Sequence, residues 1–168
     1  MRKILIFGNS GSGKSTLAKR FVEREGLAHL DLDTLAWLPE SPPKRAPIEE
    51  SRKKILAFIH DNEGYVIEGC YTDLLEIAAP MSDELFYLNL PIEICIANAR
   101  NRPWEPHKYE SKEAQDSNLE MLMDWIKQYT QRDDEFSYRS HLQFYERFPR
   151  SKIMVKNNED SVETKGEE

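Results

Sequence analysis

Gly8 to Ser15 reads GNSGSGKS, a full match to the pattern G-x-x-x-x-G-K-[ST]. Glycines at 8, 11 and 13 permit tight turns that aim successive backbone N–H groups inward, toward an anion at the start of a helix. In such a loop the lysine, Lys14, reaches the β- and γ-phosphates of a nucleotide, and the hydroxyl of Ser15 ligates Mg²⁺. The expected nucleotide contacts are Gly8, Asn9, Ser10, Gly11, Ser12, Gly13, Lys14, Ser15 and the adjoining Thr16, and the expected cofactors are ATP and Mg²⁺. The competing reading, a glycine-rich turn with a surface lysine, leaves the coincidence of Lys14 and Ser15 unexplained.

Three carboxylates form a second group. In HLDLDTLAW, strand alternation would place Asp31 and Asp33 on one face, where they could hold a Mg²⁺-bound water and orient an acceptor hydroxyl. Glu68 lies in VIEGCY at the end of another apolar stretch. Solvated turn and surface acids are the plain alternatives. The histidines 29, 60, 107 and 141 have no metal-ligand spacing with Cys70 or Cys95, so a structural zinc is not expected.

These groups need a scaffold. Five nearly continuous apolar stretches, 3–7, 28–32, 65–69, 84–90 and 151–156, read as strands covered on both faces. Helical spacing follows Lys14 up to Gly26. It recurs after Pro47, with Ile48, Ile55, Phe58 and Ile59 on one face, and after Pro91 up to Pro103. Strand and helix alternate, which favours a parallel sheet with right-handed crossovers. LPESPPKRAP, with its four prolines, reads as an irregular connection. Residues 103–148 exceed what a crossover needs and read as an inserted cover over a site; within them Leu119, Leu122, Met123, Ile126 and Tyr129 share a helical face.

A chain of 168 residues with 39% hydrophobic and 32% charged composition lies above the disordered range. The expected organisation is one domain over 1–156, followed by an acidic tail, 157–168, that frays. A net charge of −7 gives no global field for a nucleic-acid backbone, so no nucleic-acid partner is expected. No apolar run approaches the ~20 residues of a spanning helix, so no membrane partner is expected either. Two distant cysteines and no signal-like start suggest a cytoplasmic protein with reduced thiols. The oligomeric state stays open.

From Arg2 to about Lys156 the chain resembles the small-molecule kinases of the P-loop class, which include adenylate and shikimate kinases. The resemblance implies a three-layer α/β fold, a five-stranded parallel sheet ordered 2-3-1-4-5, a helical lid insert before the last strand, and ATP-dependent phosphorylation of a small acceptor. It implies that Asp33 acts on the acceptor, as in the Asp-x-Asp of shikimate kinases, and that Asp31 and Glu68 serve Mg²⁺ through water. Arg100 and Arg102 match nucleotide-binding arginines before the lid. Arg132 and Arg139, in QRDDEFSYR, match in type the catalytic arginines that flank two aspartates in adenylate kinases. The triple glycine and the Phe-Arg element of shikimate kinases are missing.

The aspartate pair favours a hydroxylated metabolite as acceptor, and the two late arginines favour a nucleoside monophosphate, for which Lys44, Arg45 and Arg52 would form the clamp. A nucleotide-binding regulatory protein with little turnover is the alternative of another class. Trp37 and Tyr71 read as core, and RPWEPHKY, with Trp104, His107 and Lys108, receives no role.

Overall fold

After Lys3 the first strand, β1 (Lys3–Gly8), has no polar side chain, and Ile4 to Phe7 are wholly buried. A strand with no polar face must be covered on both sides, and the rest of the chain supplies that cover. The structure, a computed structural model, describes residues 1–157, so the tail expected at 157–168 lies outside the described residues apart from Asn157.

After the glycine-rich loop comes α1 (Lys14–Glu25), stopped by Gly26, whose left-handed backbone lets its N–H bond the Val22 carbonyl. β2 (Ala28–Asp31) is short because the Asp31 side chain accepts the Asp33 N–H and turns the chain into a single 3₁₀ turn, Leu32–Thr34. β3 (Trp37–Leu38) and β4 (Lys44–Arg45) then form an antiparallel ribbon. The proline-rich stretch is therefore the end of a hairpin and not an irregular connection throughout.

α2 (Ile48–Asp61) buries Ile55 and also Ser51, whose hydroxyl donates to the Leu35 carbonyl; Ile48, expected on the buried face, is exposed. β5 (Tyr65–Gly69) leads to α3 (Thr72–Ala78), a helix that the sequence reading does not anticipate. β6 (Glu84–Leu88), two residues shorter than expected, precedes α4 (Ile92–Arg100). The insert contains α5 (Lys112–Ser117) and α6 (Leu119–Lys127), then α7 (Tyr138–Arg147), before β7 (Ser151–Val155) closes the sheet.

All five strands of the main sheet run parallel in the order β2-β5-β1-β6-β7. Counted within the main sheet alone this is the expected 2-3-1-4-5, and the labels differ only because the ribbon adds two strands to the count. The period of two in each strand divides the core into two layers. Leu5, Phe7, Ile67, Leu85 and Tyr87 face α2, α3 and α7, whereas Ile4, Ile6, Val66, Phe86 and Leu88 face α1, α4 and α6.

The insert enters both layers. Ile126 is fully buried in one, while Phe136 and Phe144 are buried in the other. α6 and α7 are thus structural walls, which corrects the expectation that the whole insert is a moving cover. The part of the insert region that adds no buried residue to either layer is the irregular segment after α4 together with α5.

Candidate functional site

The loop between β1 and α1 sits where a parallel sheet opens a crevice at its strand ends. Gly11 and Gly13 have φ of 78° and 89°, and a Cβ on Gly11 would collide with the Cys95 carbonyl oxygen. Both positions demand glycine. Asn98 Nδ2 donates to the Gly11 carbonyl at 2.9 Å, and Asn9 Nδ2 donates to the Ile126 carbonyl at 3.2 Å. The loop is therefore held by both α4 and α6.

Several of its features suit a ligand. The N-terminus of α1 has no side-chain cap and no acidic residue in its first turn. Ser12 Oγ is buried without a hydrogen-bond partner, and Lys14 Nζ donates to the Asn9 carbonyl at 2.8 Å. Thr16 is exposed. An anion would satisfy Ser12 Oγ and the uncapped N–H groups and would compete for Lys14 with the Asn9 carbonyl.

The carboxylates stand beside the loop because β2, β5 and β1 are neighbours. Asp31 is the register partner of Glu68, and Ser15 Oγ donates to Glu68 Oε1 at 2.9 Å. His29 Nε2 lies 3.5 Å from the same oxygen. Hydroxyl and carboxylate oxygens are the hard donors that suit Mg²⁺, so this set fits that ion.

Asp31 and Asp33 do come together, but not by strand alternation. Asp31 Oδ1 accepts the Asp33 N–H at 2.9 Å inside the 3₁₀ turn. Asp33 Oδ1 accepts from the Tyr71 hydroxyl at 2.5 Å, and that hydroxyl accepts from Trp37 Nε1 at 2.8 Å. Trp37 and Tyr71 are thus more than core: they fix one oxygen of Asp33.

The remaining oxygens of both aspartates turn to Lys108, which arrives from the irregular segment after α4. Lys108 Nζ is 2.7 Å from Asp33 Oδ2 and 3.2 Å from Asp31 Oδ2, with Glu105 Oε2 at 3.4 Å. His107 Nε2 is 3.7 Å from Asp31 Oδ2 and from Glu105 Oε2.

Burial opposes the charge on Lys108, yet Asp33, Asp31 and Glu105 outweigh it and raise its pKa. Burial likewise pushes the Asp33 carboxyl up, but the Lys108 charge and the bonds from Lys108 and Tyr71 hold it below the ordinary value. Asp31 goes the other way: burial, then Glu68 and Asp33, raise it against Lys108. Burial also raises the Tyr71 phenol, which stays a donor.

Lys108, Glu105 and His107 carry no motif. Their signal in the sequence is a Trp-Glu-Pro-His-Lys run within a proline-flanked loop, and its contact to Asp33 spans 75 residues.

None of the four expected arginines pairs with the aspartate pair, and Arg102 meets the cluster through Glu105. Arg100 Nε approaches the Met123 sulfur at 3.3 Å, and Arg102 pairs with Glu105 Oε1 at 3.2 Å. Arg132 stacks on Trp125 at 3.3 Å from the ring centroid and bonds Asp134 at 3.1 Å. Arg139 is exposed, 3.7 Å from Asp133. Of the possible monophosphate clamp, Arg45 pairs with Asp73 and Glu135 beneath Trp37, Tyr71 and Phe136, and Arg52 pairs with Glu49.

A family model described as an AAA domain matches residues 4–118. The chain is 29% identical over 109 residues to the uncharacterized protein YqaC of Bacillus subtilis (strain 168), a match covering 65% of this chain and 61% of that one. It spans about three-fifths of that relative's length. Among solved structures, a sugar kinase from Janibacter sp. HTCC2649, unliganded, has a TM-score of 0.51 at 14% identity over 93% of this chain and 85% of that one. A deoxyadenosine kinase from M. mycoides with bound dATP has a TM-score of 0.48 at 16% identity, covering 92% and 90%. A shikimate kinase from Bacteroides thetaiotaomicron has 0.48 at 18%, covering 92% and 86%. At 14% identity the likeness to the sugar kinase is one of fold.

Proposed function

The chain belongs to the AAA domain family, and from that premise we propose that it is an ATP-dependent phosphotransferase acting on a small hydroxylated acceptor. The observation that carries this reading is the bond from Ser15 in the phosphate loop to Glu68, at the strand end that pairs with Asp31. It joins an anion cradle to an oxygen-rich metal position beside an acceptor carboxylate.

In this reading the backbone N–H groups at the start of α1, together with Ser12 and Lys14, bind the β- and γ-phosphates. Ser15, Glu68 and Asp31 hold Mg²⁺, which neutralises charge on the phosphates when bound. Asp33 receives the hydroxyl proton of the acceptor and orients its oxygen toward the γ-phosphorus. Tyr71 fixes the other oxygen of Asp33, so the carboxylate presents a defined face. Arg100 and Arg102, at the end of α4, serve the nucleotide side.

Arg132 and Arg139 enter only if closure frees them from Asp134 and Asp133. The carboxylates already facing Arg45 and Arg52 support a neutral hydroxylated acceptor over a monophosphate.

The test is ADP release with MgATP across hydroxylated acids, sugars, nucleosides and nucleoside monophosphates. An acceptor that accelerates release, and a Lys14→Ala variant that keeps its circular dichroism and melting curve but loses turnover, are the expected results. Undiminished turnover in folded Lys14→Ala removes the phosphate loop from the mechanism.

A further inference from the structure

Each aspartate of the acceptor pair has one oxygen committed to its own surroundings and one turned to Lys108. Asp31 Oδ1 holds the Asp33 N–H and Asp33 Oδ1 holds the Tyr71 hydroxyl, while both Oδ2 atoms converge on Lys108 Nζ. An ammonium 2.7 Å from Asp33 Oδ2 fills the position from which a nucleophile would give up its proton.

The segment that delivers Lys108 is held together by polar bonds of its own. Lys108 N–H and Tyr109 N–H donate to the Glu105 carbonyl, Gln115 Oε1 accepts the Glu105 N–H, Gln115 Nε2 donates to the Pro103 carbonyl, and Asn118 donates to the Tyr109 hydroxyl. These bonds travel with the segment, and its contacts to the aspartate turn are the charged ones of His107 and Lys108, which water can replace, so the segment can withdraw without unfolding the core.

We propose that Lys108 is a positioning residue that keeps Asp33 from activating water until an acceptor displaces it. The proposal rests on the phosphotransferase reading above. Without the ammonium, water in the acceptor position attacks the γ-phosphorus and the bond from that phosphorus to the β-bridging oxygen breaks. ADP then leaves with the electron pair, and the water proton passes to Asp33. ATP is spent and inorganic phosphate is released. Excluding this side reaction is a recognised task of a closing segment. Here the segment works by occupying the base rather than by covering it.

The experiment measures ADP release from MgATP with no acceptor present. Lys108→Met, which keeps length but removes charge, is expected to hydrolyse ATP at least tenfold faster than the wild type. In Lys108→Met with Asp33→Asn the gain is expected to vanish, because the two residues act through one carboxylate. A purely structural lysine would give no gain that depends on Asp33. No rise in Lys108→Met, or a rise that survives in the double variant, overturns the proposal. Lys14→Ala in parallel separates the two readings: if it leaves hydrolysis unchanged the phosphate-loop reading fails, and if it abolishes hydrolysis while Lys108→Met gives no gain, the Lys108 assignment fails alone.

Discussion

At the scale of single residues, Asp33 is the position where burial, charge and hydrogen bonding all meet. It is held ionised against the pull of burial, and its two oxygens are shared between a phenol from the β5–α3 connection and an ammonium from the segment after α4. Asp33→Asn keeps the size and removes the proton acceptor, so kcat for the true acceptor falls by about 10²- to 10⁴-fold while ATP still binds. Steady-state kinetics with a separate nucleotide titration check this, and kinetics within about twofold of wild type, below the range for losing a general base, would remove Asp33 from the chemistry. The same substitution removes charge from the partner of Lys108, so the variant is read with acceptor at saturation.

At the scale of elements, the insert is where structure and expectation part. α6 behaves as a core helix, since Ile126 has no exposed surface and packs with Leu17, Leu90, Cys95 and Ala99. Ile126→Ala therefore costs about 2–5 kcal/mol, seen as a lower melting temperature; a lid helix would give no such loss. β1 and β5 are legible in the sequence nearly to the residue, because continuous apolar strands admit little alternative. The phosphate loop is legible for the same kind of reason: its glycines have backbone angles that other residues rarely adopt. β2 is misread by alternation because the Asp31 carboxylate caps the following turn, a local side-chain bond that a period of two does not describe. α3 is short and lacks a side-chain cap, so nothing in TDLLEIA announces it. The ribbon hides behind its prolines, and Lys108 is invisible because only the folded chain brings it to Asp33.

At the scale of the whole molecule, a buried polar chain joins the insert to the sheet. The hydroxyls of Tyr87 and Tyr129 share a bond of 2.6 Å, Tyr129 meets His141 Nδ1 at 2.7 Å, and His141 Nε2 meets the Cys70 carbonyl at 2.8 Å. Burial above all lowers the His141 pKa from 6.5 to about 3, so the ring is neutral in the fold. Its contribution to stability is complete above about pH 6.5 and is lost as pH falls toward 3, because the unfolded chain takes up the proton first. Between about pH 7.5 and 5 the loss through this group is on the order of 2 kcal/mol. His141→Gln, compared by denaturant melts at each pH, is less stable at neutrality but flatter across that window; parallel curves would mean that His141 titrates normally. The tie from Asn9 to the Ile126 carbonyl has a mechanical consequence as well. With α6 tied to the phosphate loop, the part that can swing runs from Asn101 to Asn118, a short flap hinged on α4 at one end and on α6 at the other. A flap fixed at both ends can bow but cannot lift away, so its excursion is bounded by its own length of chain.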